Sequence, residues 1–317
     1  MSTAAASAAI LANRRGWLGG LSDYFWKRPR LLIFLLLAPA VLWLGIVYLG
    51  SLLALLLQSF FSLDDFSGVI VHEFTLKTYG ELLKPQNFDI IVRTVSMAAI
   101  VTVASAIVAF PIAYVAARYA RGKWKALFYL GIMLPLWSSY LVKVYSWKLI
   151  LAKEGILNWL FEQVHLTVLL DAFLSIPMIG GNSLSVSFTG TFLVFLYIWL
   201  PYMILPIQAS VERVPVNLID AASDLGATPL QTFWKVIFPL ALPGIVAGSI
   251  FTFSLTLGDY IIPQIVGSSR LFIGQAVYVH QGTAGNIPLA AAFTVVPIII
   301  MGIYLWLARR MGAFDAL

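Results

Sequence analysis

Few side chains in this sequence are placed to make or break bonds. His72, His165 and His280 stand far apart; no HExxH run sets two histidines on one helix face, and no paired carboxylates are spaced for acid–base work. The 317 residues include no cysteine, which excludes thiolate nucleophiles, disulfides and Cys-based metal sites and leaves the redox compartment open. The phosphate-cradling GxxxxGK(S/T) pattern is missing too: the one Gly-Lys pair, Gly122-Lys123, lacks the first glycine and the hydroxyl residue. The sequence therefore predicts no enzyme, no metal site and no cofactor on this chain. What remains is recognition without covalent chemistry. Asp259 lies in an apolar run, followed by Tyr260, and a carboxylate there is costly unless it faces a cavity or a partner. Trp137, Tyr140 and Trp147, three and seven apart, share one face if that stretch is a helix. Aromatic faces attract an alkylammonium group by about 0.5–2 kcal/mol per contact. Two other readings stay open: an interfacial aromatic belt, and a structural ion pair between Asp259 and Lys143, Lys148 or Arg270.

The elements that would hold these residues are membrane spans. A composition 61% hydrophobic and 11% charged, with mean hydropathy +0.92, excludes a soluble globular chain and predicts an all-α integral membrane protein. Six apolar runs near the required ~20 residues fall at about 31–58, 90–118, 126–150, 190–211, 240–262 and 286–308. Thirteen of the twenty basic residues lie in the N-terminal tail, in the second-to-third and fourth-to-fifth connections and at the C-terminus. That bias predicts both termini in the cytoplasm. The net charge of +6 is thus a membrane-orientation signal, with no nucleic-acid partner implied. Residues 1–30 read as a cytoplasmic tail with an interfacial helix from Trp17 to Arg30, 31–308 as the membrane domain and 309–317 as a second cytoplasmic tail. Asp259 falls ~24 Å of helix after Pro243, in the outer half of span five. Tyr260 points about 100° away from it, so both face one path only if the helix loosens near Gly258 and Pro263. Pro111, Pro135, Pro201, Pro206 and Pro297 are expected kinks. On the outer side, 59–89 predicts one or two short surface helices, 151–189 an amphipathic GILNWLFEQVHL segment and then a Gly/Ser-rich stretch, and 263–285 a third loop.

One cytoplasmic segment, within the loop 212–239, is more specific. Leu218, Ala221, Ala222 and Leu225 form one face of a short helix, with Asp220 and Asp224 on another. Pro215 suits the first turn and Gly226 the left-handed stop. Thr228, Pro229 and Gln231 then read as N-cap, N1 and N3 of a capping box opening a second helix. The expectation is helix, glycine turn, helix.

At these residues the chain resembles the permease subunits of binding-protein-dependent type I ABC importers. Their signature is Glu-Ala-Ala, three residues, Gly, nine residues, then Ile-x-Leu-Pro; here Asp220, Ala221, Ala222, Gly226 and Val236-Ile237-Phe238-Pro239 keep the spacing with conservative exchanges. The resemblance implies a coupling helix that docks on an ATPase, a role carried by Asp220, Ala221, Ala222, Gly226 and Ala227. It implies two ATPase subunits holding ATP and Mg, a second related permease and an outer substrate-binding protein, in the bacterial inner membrane. PLWSSYLVKVYSWKLILAKEGILN and GDYIIPQIVG narrow the likeness to spermidine/putrescine-type permeases, a pattern shared with importers of 4-aminobutyrate and opine-like amines. Asp259, Tyr260, Trp137, Tyr140 and Trp147 are the substrate-pathway candidates that follow.

Overall fold

The computed structural model describes residues 26–64 and 66–310. Most of the interfacial helix expected over 17–30 lies outside the described residues, as do Arg14, Arg15, Asp65 and the tail beyond Arg310. The chain divides into two units, residues 1–57 and 58–317. Among its described residues the first holds the helix α1, Pro29–Gln58, apolar all round, with a π-helical stretch at Trp43–Leu49. None of its side chains is buried. A helix satisfies its own backbone groups, so in hydrocarbon this surface needs no protein cover. At 1.5 Å per residue it extends ~45 Å, more than the ~30 Å core of a bilayer.

The second unit begins with a two-stranded antiparallel hairpin, β1 (Ser62–Leu63) and β2 (Ile70–Val71), in the stretch 59–89 where one or two short helices were expected. Asp64 makes the turn: its carboxylate accepts from the Phe66 amide at 3.1 Å and the Ser67 hydroxyl at 2.7 Å, and those two donors hold its carboxyl below the usual carboxylate value. A short helix, α2 (Lys77–Leu82), follows. Then come the long helix α3 (Pro85–Arg118), the pair α4 (Lys123–Trp137) and α5 (Tyr140–Ile150), and two short helices, α6 (Ile156–Gln163) and α7 (Thr167–Leu174). Next are α8 (Phe188–Arg213), α9 (Val216–Asp224) and α10 (Pro229–Gly258). The short α11 (Ile261–Ile265), α12 (Ile273–Gln281) and α13 (Ile287–Arg310) complete the chain.

The core is the packing of α3, α8 and α10 on one another. Buried Ala98, Ser105, Ala109, Ala113 and Ala116 give α3 a stripe of small residues, which lets backbones approach where lipid supplies no hydrophobic drive. Thr102, Thr252 and Thr256 are buried with their hydroxyls donating to carbonyls four residues back, at 2.6, 3.0 and 2.7 Å, so these polar groups need no partner from another helix.

Two spans differ from the sequence reading. The third, expected as one helix over 126–150, is broken: α4 and α5 meet at 95°. Ser138 and Ser139 are extended at the corner, and the Pro135 carbonyl freed there accepts from Ser138 Oγ at 2.9 Å and Lys143 Nζ at 2.8 Å. Span five starts near Pro229 and not at 240. Pro239 lacks an amide and its ring crowds the carbonyl four residues back. A widened π turn over Phe233–Ile237 precedes it, and the helix runs on. Pro111, Pro201, Pro206 and Pro297 lie inside continuous helices.

Candidate functional site

The motif around Asp220 and Gly226 folds as its residues dictate. Pro215 is the N-cap residue of α9. At the other end Gly226 adopts φ +78°, the Ala227 amide donates to Ala222 O at 2.9 Å and the Gly226 amide to Ser223 O at 2.9 Å. This pair of bonds is a Schellman stop, which needs a residue free to take the left-handed conformation. Thr228 and Gln231 then close a reciprocal capping box, 3.3 Å from Gln231 N to Thr228 Oγ1 and 2.9 Å from Thr228 N to Gln231 Oε1. No side chain of α9 is buried. Leu218, Leu225 and Leu230 stand 46%, 88% and 67% exposed, Asp220, Ala221 and Gly226 are exposed, and Ala222 and Ala227 are half-buried. A Cβ placed on Gly226 would meet nothing within 4 Å. The apolar face of this helix is thus left uncovered beside small residues.

The root of this helix is gripped from two sides, which the sequence reading did not foresee. Arg118, at the end of α3, donates to the Val214 carbonyl at 2.7 Å. Glu212, in the last turn of α8, accepts from Lys125 and Tyr129 of α4 and from Gln208. The available signal was an acid ending an apolar span on the same helix face as Gln208, four residues earlier.

The second region lies where α10 ends. Helix α10 stops at Gly258, and Asp259 is extended, with φ −74° and ψ 134°. Its Oδ1 accepts from the Ile262 amide at 2.9 Å, capping α11, and its Oδ2 accepts from the Tyr140 hydroxyl, across from α5. Among the described residues no Lys, Arg or His nitrogen lies within salt-bridge distance of Asp259. The ion pair considered with Lys143, Lys148 or Arg270 is therefore absent; Lys143 is spent on the Pro135 carbonyl. Tyr140 stacks on Trp199 of α8 at 6.0 Å, and Trp199 meets Tyr202 edge-on at 5.8 Å. Trp199 is buried, with its indole N–H unpartnered. Trp147 packs on Tyr197 at 5.1 Å, and Tyr260 stacks on Tyr278 of α12 at 5.3 Å. The shared face expected for Trp137, Tyr140 and Trp147 is not formed: the 95° corner leaves Trp137 at the end of α4, 75% exposed. Tyr140 and Asp259 are brought together. Trp199 and Tyr202 join them from α8, and neither was legible as special among the other aromatics of an apolar run.

Spans packed on the α3–α8–α10 core, with a broken helix pair and a capped helix exposed between α8 and α10, define a multi-pass membrane protein. The chain belongs to the family of binding-protein-dependent transport system inner membrane components, whose pattern matches residues 109–313. It is 57% identical over 303 residues, 96% of this chain and 97% of the relative, to the inner membrane ABC transporter permease protein YdcU of Escherichia coli K12. It is 30% identical over 275 residues, 85% of this chain and 94% of the relative, to the spermidine/putrescine transport system permease protein PotB of the same strain. Its fold matches a chain of a bacterial alginate ABC transporter solved with a periplasmic protein bound to alginate pentasaccharide. That match has a TM-score of 0.67, covers 94% of this chain and 97% of that one, and has 14% identity. A chain of the MetNI methionine ABC transporter matches at TM-score 0.53 with 16% identity, over 73% of this chain and 96% of that one. The protein is thus a multi-pass inner-membrane permease subunit of an ABC importer, with the type I permease fold.

Proposed function

We propose that this permease moves a small amine, a polyamine such as spermidine or putrescine, into the cytoplasm by alternating access. The observation that carries the reading is Asp259: a carboxylate at a helix break, held by a hydroxyl and an amide and matched by no cation among the described residues. An ionised group so placed is stabilised by a passing ammonium. The stacked faces of Tyr140 and Trp199 suit the methylene and ammonium groups of the same substrate. The 30% identity to a spermidine/putrescine permease supports the class. 4-Aminobutyrate or an opine-like amine offers the same cationic group to the same carboxylate.

Coupling in this reading is by contact. Two separate ATPase subunits holding ATP and Mg press on α9 through Asp220, Ala221, Ala222, Gly226 and Ala227, a second permease completes the pathway, and a soluble binding protein delivers substrate from outside. Both termini face the cytoplasm. An ion-coupled secondary transporter would need a relay of acids or histidines through the spans, and among the described residues these offer only Asp259 and a few charges at their edges.

The test is ATP hydrolysis by the reconstituted assembly with its binding protein, comparing no substrate with spermidine, putrescine and 4-aminobutyrate. Stimulation by a polyamine is expected; stimulation by 4-aminobutyrate alone moves the substrate and keeps the mechanism. Gly226→Asp, which strains the left-handed turn and puts a charge where the partner approaches, is expected to abolish ATPase association or coupling. Normal ATP-dependent uptake by that variant would refute the role given to α9.

A further inference from the structure

The grip on the root of α9 has a second end. Three donors converge on Glu212 Oε1: Lys125 Nζ at 2.9 Å, Tyr129 Oη at 3.2 Å and Gln208 Nε2 at 3.3 Å. Lys125 and Tyr129 both belong to α4. Two residues on, Arg118 fastens the carbonyl of Val214, the residue linking α8 to Pro215 at the head of α9. Lys125–Glu212 is the one ion pair that joins two helices among the described residues. A lone exposed pair contributes little. This carboxylate is 29% exposed and shared by three donors from two helices, an arrangement that fixes geometry more than a single pair does.

Follow α4 away from that node. Its fifteen residues extend ~22 Å to the 95° corner. There Ser138 and Lys143 both bind the Pro135 carbonyl, bracing α5 against α4. The first residue of α5 is Tyr140, the hydroxyl donor to Asp259. One braced, bent arm therefore runs from the root of the exposed helix to the unpaired carboxylate.

We propose that Glu212 is a positioning residue for coupling: through Lys125 and Tyr129 it locks the α4–α5 arm to the root of α9, so that a push on α9 shifts Tyr140 against Asp259. The inference rests on the reading of α9 as the ATPase-docking helix and specifies the mechanical path by which that helix reaches the site. It predicts that the carboxylate loses or changes its tyrosine partner as the assembly passes between nucleotide states. Substrate affinity and drive are then joined by one covalent segment, the α4–α5 arm, which moves with the last turn of α8.

The test needs no knowledge of the substrate. Because the chain has no cysteine, spin labels can be placed at Ser146→Cys on α5 and Phe251→Cys on α10, both exposed positions. The distance between them is measured in the complete transporter, built with cysteine-free partner chains, without nucleotide and with ATP and vanadate trapped. The distance is expected to change on trapping. Glu212→Gln and Lys125→Glu are each expected to remove roughly half or more of the change while the ATPase still co-purifies, and the swap Lys125→Glu with Glu212→Lys to restore most of it. Tyr129→Phe, which deletes one hydroxyl, reads the same quantity should the charge variants fail to insert. An unchanged distance on trapping, full change in the single variants, or a swap that assembles without recovery overturns the proposal. Gly226→Asp in the same assay separates the two ideas: loss of ATPase binding leaves the arm unaddressed and upholds α9 as the docking helix, whereas retained binding and distance change refutes that docking role alone.

Discussion

Asp259 has two duties that a single substitution can separate. Its Oδ1 caps α11 and its Oδ2 accepts from Tyr140. Asparagine keeps its one oxygen for the Ile262 amide, can donate its side-chain N–H to the Tyr140 oxygen once that hydroxyl turns, and removes the charge. Asp259→Asn should therefore preserve assembly and lower uptake of a cationic amine by about tenfold or more, since a hydrogen bond to a charged group contributes ~1.5–3 kcal/mol. The measurement is uptake into proteoliposomes beside the yield of intact complex. Equal loss of both would make Asp259 a structural cap and nothing else. At this scale the sequence was informative where a residue was out of place: an acid in an apolar run is visible at once. Trp199 was not, because a tryptophan in a span resembles its lipid-facing neighbours until the fold buries it against Tyr140 and Tyr202. Glu212 was overlooked for a related reason. Its three donors lie 4, 83 and 87 positions away, and only the crossing of α4 over α8 brings them together.

Elements were legible where local chemistry sets them. The Gly226 stop and the Thr228 capping box are short-range bonds between named side chains and amides, so α9 and the head of α10 followed from spacing alone. The break in span three followed in part: a kink was expected at Pro135, and the 95° corner falls just after it. Its size was not legible, because the corner is held by Lys143 reaching back eight residues to a carbonyl. The stretch 59–89, too polar for a span, was read as one or two short surface helices; it holds one, α2, and before it Asp64 and the left-handed Gly68 turn the chain into a hairpin. Helix α12 offers a test of packing. His280 stacks on Phe293 of α13 at 5.8 Å with Nδ1 unpartnered, and burial lowers its pKa from the ordinary value of 6.5. The unfolded segment then binds a proton more readily than the folded one, so the stabilisation is complete above about pH 6.5 and is lost as pH falls through the depressed folded value. Amide exchange over Ile273–Gln281 should accelerate between pH 7.5 and pH 5 beyond its intrinsic pH dependence, and His280→Gln should flatten that response. An unaltered slope in the variant would mean that other groups titrate.

The whole molecule is organised by a solvent that is not water. Most of its large apolar side chains face outward, and α1 buries none. The count and order of spans followed from hydropathy because every crossing segment must satisfy its backbone internally and present apolar atoms to lipid. Which spans pack together did not, since α3, α8 and α10 look no different in hydropathy from helices left at the rim. Orientation rests on the lysines and arginines, and a chain without cysteine allows it to be mapped without background. A single cysteine at Asp224→Cys should react with an impermeant maleimide only in inverted vesicles, and one at Thr283→Cys only in spheroplasts. The opposite pattern would reverse the topology and remove α9 from the ATPase side.

The bare face of α9 has a further consequence for the life of the subunit. A copy inserted in the membrane without its partners leaves Leu218 of α9, Leu225 at its end and Leu230 at the head of α10 exposed. In the proposed reading those side chains would mark such a copy for proteolytic removal. Docking would hide the mark, so the surface proposed to transmit the stroke would also let the cell's quality control count how many permeases have found an engine.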